Sequence, residues 1–86
     1  MSKCQSVTYN NVTAEVFGCM KKKLEAAGFQ VPEGNSGKLE GSGIKAHFEW
    51  DGKSNLKIII TDKPFIVSCS YVIGKITDFV HDCHGN

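Results

Sequence analysis

The hydrophobic period of this chain changes near residue 38 and again after residue 64, and those changes limit the fold to a small set. Before the first, Val16, Met20, Leu24 and Ala27 recur at intervals of 4, 4 and 3, with Thr13 and Phe17 along the edge of the same stripe. That spacing predicts an amphipathic helix over about 11–27. Asn10 or Asn11 would cap its start, and Gly28 followed by Phe29 reads as a Schellman ending. After residue 38 the period is two. Ile44, Ala46, Phe48 and Trp50 alternate with Lys45, His47 and Glu49, and Leu56, Ile58 and Ile60 alternate with Lys57, Ile59 and Thr61. Each run predicts a strand with one apolar and one polar face.

The connections follow from parity. Asp51-Gly52 has the composition of a two-residue hairpin turn, yet such a turn would pair Phe48 with Asn55 and put Lys57 on the core face. Keeping apolar opposite apolar, Phe48 with Leu56 or with Ile58, requires a loop of three residues (51–53) or five (51–55). At Gly41-Ser42 the same test favours a two-residue turn, pairing Leu39 with Ile44 and Glu40 with Gly43, with Gly41 as the first residue of a type II′ turn. A short strand near 37–40 then precedes the other two; a single strand bent by a bulge at 41–43 is the competing reading. Pro32-Glu33-Gly34-Asn35-Ser36-Gly37 is loop composition.

Pro64 ends the last strand, and the apolar residues 65–67 are expected to pack beneath a second helix. Ser68 or Ser70 would cap that helix. Its apolar stripe is Cys69, Val72, Ile73, Ile76, Phe79, Val80 and Cys83, with Tyr71, Gly74, Lys75, Asp78 and Asp82 opposite and Gly85 as its stop. With 86 residues the chain forms one small domain, 1–86, of α+β class. The expected plan is a helix, a three-stranded antiparallel meander and a helix, both helices packed on one face of the sheet.

Charge excludes several functions. All 10 basic residues are Lys, set against 9 acidic ones, for a net charge of +1. Without an Arg, bidentate recognition of phosphate or guanine is missing, and near-neutrality removes the electrostatic term behind nucleic-acid affinity. Lys21-Lys22-Lys23 is a solvated helix face, too short a run for an anionic membrane. Neither nucleic acid nor membrane is an expected partner.

The segment Met1-Ser2-Lys3-Cys4-Gln5-Ser6 lacks the apolar stretch of a signal peptide, so the expected compartment is cytoplasmic, where thiols stay reduced. Cys4, Cys19, Cys69 and Cys83 lie 15, 50 and 14 residues apart, with no C-x-x-C or zinc-ribbon spacing. Free thiols are expected, with Cys19 a small semi-buried filler. Cys69 and Cys83 share one helix about 21 Å apart along its axis, beyond disulfide reach; a bridge would need Cys4 or Cys19. On that expectation, Asn11-Val12-Thr13 matches the glycosylation sequon by chance.

Three candidate sites remain. Cys69, in the first turn of a helix, would have a lowered thiol pKa, but His47, the mid-chain histidine, lies on the other sheet face and no base adjoins it. His81 and His84 are three apart on a helix and could share a metal with Cys4 or a second chain; Cys83 is rotated about 160° from His81 and belongs to the apolar stripe. No cofactor motif or acid–base pair appears, so no cofactor, metal or catalytic residue is assigned. The third candidate is the polar sheet face, Lys45, His47, Glu49, Lys57, Ile59 and Thr61, where Ile59 stands among charges and the sheet edges invite strand addition. The expected function is therefore non-enzymatic: association, as a homodimer or a protein-binding module. The alternatives are a thiol or metal protein using Cys69 or His81 and His84, and an apolar-ligand domain whose five Phe and Trp50 line a pocket between helices and sheet.

Overall fold

A computed structural model of the protein describes residues 4–84. Its elements are β1 (Val7–Tyr9), α1 (Ala14–Ala26), β2 (Ser36–Gly41), β3 (Ile44–Trp50), β4 (Leu56–Asp62) and α2 (Cys69–Cys83). Among the described residues the strands form one four-stranded antiparallel sheet in the order β1-β4-β3-β2. The α+β class stands, and the three-stranded meander gains a fourth member. β1 is only three residues long, too short to display a period of two, and it is defined by pairing with β4, Val7 opposite Ile58 and Tyr9 opposite Leu56.

The two-residue turn that parity excluded is absent, and of the two loops parity left open the longer one forms. Phe48 pairs with Ile58 and Trp50 with Leu56, leaving the five-residue loop 51–55. Asp51 holds that loop: its Oδ1 accepts the backbone N–H groups of Lys53, Ser54 and Asn55 at 2.8, 2.9 and 3.0 Å. The β2–β3 turn is a two-residue turn placed one position later than Gly41-Ser42. Gly41 pairs with Ile44 and Leu39 with Ala46, so Ser42 and Gly43 are the central residues, with φ of 54° and 79°. Two positive φ values define a type I′ turn, whose twist matches that of the strands. The shift moves pairing by two residues, so Leu39 stays on the core face. Gly41 is needed for another reason: a Cβ there would stand 2.8 Å from Phe29 Cα and 2.9 Å from the Gly28 carbonyl oxygen.

Helix α1 is capped by Thr13 rather than Asn10 or Asn11, its Oγ1 accepting the Val16 N–H at 3.3 Å. It ends as expected: Gly28 has φ of 95°, and the Phe29 and Gly28 N–H groups bond the Leu24 and Glu25 carbonyls at 3.0 Å each. Ser68, not Ser70, caps α2. The Gly85 stop lies outside the described residues. Buried side chains from α1 (Val16, Phe17, Met20, Leu24), α2 (Val72, Ile76, Val80) and alternate strand positions (Leu39, Ala46, Phe48, Leu56, Ile58, Ile60) share one core with Cys4 and Val12.

Two expectations fail. The segment 65–67 does not pack beneath α2; Val67 alone reaches the core, while Phe65 and Ile66 are 86% and 83% exposed. The thiols are not free either. Cys4 is bonded to Cys69 and Cys19 to Cys83, each with Cα atoms 5.6 Å apart. Both bridges join residues more than 60 positions apart in sequence, so tertiary packing alone makes them. The Cys4 N–H bonds the Ile60 carbonyl at 3.2 Å, carrying Cys4 along β4 to the start of α2. Residue Cys19 of α1 meets the last turn of α2. In the loop-entropy account each closure contributes about 4 kcal/mol taken singly, less together because the loops overlap. A core this small gains much from such ties.

Candidate binding groove

The helix layer is filled at one end and open at the other. At the filled end Phe17 stacks on Trp50 with ring centroids 4.5 Å apart and tilts against Phe48 at 5.9 Å. The Trp50 indole N–H donates to the Val12 carbonyl at 2.8 Å, satisfying its one polar group. Lys21 lies over this cluster, its Nζ 4.7 Å from the Phe17 centroid, and donates to the carbonyls of Pro32 and Gly34 at 3.3 and 2.6 Å. The first lysine of the basic run is therefore a strap between α1 and the loop before β2, and the expected 32–37 loop ends earlier than its composition suggested, since Ser36 and Gly37 pair with Glu49 and Phe48. The void left among Phe17, Met20, Leu24, Phe48 and Leu56 is about 10 Å³.

Past Leu24 and Leu39 the packing gives way to a groove of about 300 Å³ between α1, α2 and the sheet. Leu39, Ala46 and Ile60 are its floor. Leu24 of α1 and Ala27 at its C-cap form one wall, and Val72, Ile76 and Phe79 of α2 the other. Phe29, Ser42, Ile44, Tyr71 and Lys75 complete the lining. The local sequence contributes to the opening: the floor position Ala46 is small and Ala27 at the end of α1 is exposed, and Cys19–Cys83 joins the two helices away from the groove. Tyr71, 58% exposed, and the Lys75 Nζ, 5.7 Å from the Tyr71 ring centroid, stand at the rim. Pro64 packs beside the Gly43 position of the β2–β3 turn. Two of the expected aromatics, Phe29 and Phe79, line the groove; Phe17, Phe48 and Trp50 fill the core and Phe65 stands in solvent.

The sheet-face candidates come together on the surface away from the core. Lys45, His47 and Glu49 of β3 and Lys57, Ile59 and Thr61 of β4 all point there. His47 sits opposite Ile59, Glu49 opposite Lys57, and Lys45 opposite both Glu40 and Asp62, next to a register shift. Thr61 Oγ1 donates to the Lys45 carbonyl at 3.2 Å. Cross-strand neighbours of opposite sign stabilise one another on this face. At the β2 edge, outward-facing Glu40 is already bridged to Gln30, N to O at 2.8 and 3.4 Å.

The cysteine–histidine candidates lose their thiols. Cys69 is bonded to Cys4, so the reactive thiol is gone, and Cys4 and Cys83 are not free to ligate a metal. His81 and His84 line a polar hollow of about 570 Å³ with Thr8, Tyr9, Asn10 and Asn11, and among the described residues no three metal-ligating side chains gather. Beside it the Tyr9 hydroxyl meets Thr77 Oγ1 at 2.9 Å, while Thr77 donates to the Ile73 carbonyl at 2.8 Å; Tyr9 is therefore the donor. Partial burial raises the Tyr9 pKa, against a smaller lowering by Thr77.

The sequence reading offered a pocket between helices and sheet but lined it with all five Phe and Trp50; of these only Phe29 and Phe79 border the groove, because it arises where three elements fail to fill space. Among the described residues no helix is long and apolar enough to cross a membrane. Comparison of the chain with protein-family models, with curated proteins and with solved structures returns no significant match.

Proposed function

We propose that this protein is a small, disulfide-stapled, non-enzymatic binding domain that works by association through the open end of its helix layer. One observation carries the reading: Phe65 and Ile66, adjacent in the connection into α2, and Tyr71 in its first turn stand exposed, and Tyr71 lines the groove. Large apolar side chains grouped at a surface mark interaction sites, whereas single ones do not. The polar sheet face is the weaker candidate, since charges of opposite sign face one another across its strands. The two disulfides favour an oxidising compartment over the cytoplasmic setting expected from the sequence. Self-association as a homodimer is the form tested first, by sedimentation velocity across a wide concentration range. The wild type is expected to show a concentration-dependent mass that Phe65→Ser with Ile66→Ser abolishes. A wild type monomeric up to millimolar concentration overturns the homodimer, and an unchanged profile in the variant moves the contact elsewhere.

The groove itself favours a second reading, binding of an apolar small molecule. Its volume lies at the lower end of ligand sites, roughly 300–1,000 Å³, and its composition is theirs: an apolar lining with few polar groups.

A further inference from the structure

The groove reaches the core. Its floor residues Leu39, Ala46 and Ile60 and its wall residues Leu24, Val72 and Ile76 are all buried, so the apolar surface it offers a ligand belongs to Ala27, Phe29, Ile44 and Phe79, one layer above the core. The lining is apolar apart from Ser42, Tyr71 and Lys75, and among the described residues Lys75 is its one charged side chain. Lys75 carries its ammonium to the rim beside the Tyr71 ring, with an apolar stem that can lie along the wall.

We propose that this groove binds a medium-chain amphipathic monocarboxylate, its apolar tail against Phe29, Ile44 and Phe79 above the Ala46 floor and its carboxylate at Lys75. The proposal rests on the second reading above and adds the ligand's chemistry. Volume sets the tail: about 300 Å³ holds about ten groups the size of a water molecule. Charge sets the head. One cation with two neutral hydroxyls at the rim complements a single negative charge; a polyphosphate would call for several cations or a guanidinium fork, and this chain has no Arg. The division of labour follows. The tail, leaving water, supplies the affinity, and the rim-exposed Lys75 contact supplies a modest preference for the acid.

The test is a two-dimensional NMR titration of the whole chain, disulfides intact, with decanoate below its micellar concentration and with decanol as the neutral control. Decanoate is expected to shift resonances of Phe29, Ile44, Ala46 and Phe79, to show intermolecular NOEs to the Ile44 methyls, and to bind more tightly than decanol. Lys75→Gln is expected to weaken decanoate by roughly two- to five-fold and leave decanol unchanged. Ala46→Leu is expected to abolish binding of both; the wild-type NOEs locate the tail should that variant misfold. Equal affinity for acid and alcohol overturns the carboxylate assignment and leaves the groove as an apolar site. No binding of either compound, or NOEs from other residues only, overturns both. Shifts at the groove that follow protein concentration and resist decanoate assign it to a second copy, and the proposal falls.

Discussion

The two ends of the helix layer are built from the same elements and packed to opposite outcomes. At one end Phe17, Phe48 and Trp50 interlock and leave about 10 Å³; at the other, Ala27, Ala46 and Ser42 border about 300 Å³. Leu24 and Leu39 line both spaces and mark the boundary. The difference is one of side-chain volume along two continuous stripes. Interiors are packed to crystal-like density, so where the stripes end in small residues, Ala46 on the sheet and Ala27 at the end of α1, the layer stays open. One end is filled, and the other is a groove.

The largest effect expected comes from removing the ties that keep the layer in place. Cys19→Ser with Cys83→Ser, or Cys4→Ser with Cys69→Ser, should each cost about 2–5 kcal/mol, read as a fall in melting temperature that reductant reproduces in the wild type. A melt insensitive to reductant would show that packing alone holds α2. Next comes the filled end: Phe48→Ala removes a ring that Phe17 and the Lys21 strap cover, and should cost about 3–5 kcal/mol in chemical denaturation. A cost below about 1 kcal/mol would erase the contrast between the ends.

The open end should respond in the opposite sense. Ala46→Leu adds volume where a filled core would lose about 1–3 kcal/mol, yet here the groove can take the added atoms. The expected change is within about 1 kcal/mol of zero, by the same denaturation; a large loss would mean the groove is less roomy than its walls suggest. The smallest effect is a pH dependence on the far side of α2. The pKa of Tyr9 is raised in the folded protein, chiefly by burial, so folding favours its protonated form. Its contribution is complete below the unfolded tyrosine value of about 10 and is lost as pH rises from there through the folded value. Tyr9→Phe should flatten that alkaline decline; an unchanged decline would place its source elsewhere.

How much was legible depends on the range of the interaction. The helix ending at Gly28-Phe29 was readable, because local hydrogen bonding decides it within a few residues; strand parity narrowed the β3–β4 loop to 51–53 or 51–55, and the pairing of Phe48 with Ile58 chose between them. The β2–β3 turn was readable to within one position: composition marks Gly41, Ser42 and Gly43 as a turn, but the Gly41 approach to Phe29 that helps seat it comes from a distant part of the chain. β1 was not readable, since three residues carry no period. The Cys4–Cys69 and Cys19–Cys83 pairs were not readable either, because spacing along the chain says nothing about which helix turns meet. Of the candidate sites, the sheet face was legible as an alternation, whereas the pocket between helices and sheet was legible in place but not in its lining.

By itself, then, the amino-acid sequence determined the α+β class, the faces of β3 and β4 and the apolar stripes of both helices, since periods of 3.6 and 2 are backbone properties that side-chain order exposes directly. Only the tertiary structure decided the fourth strand, the disulfide partners, the exposure of Phe65 and Ile66, and the lining of the groove over Ala46. Each of these depends on how elements far apart in sequence fill, or leave unfilled, a common volume, and packing is a relation among residues that no single segment contains.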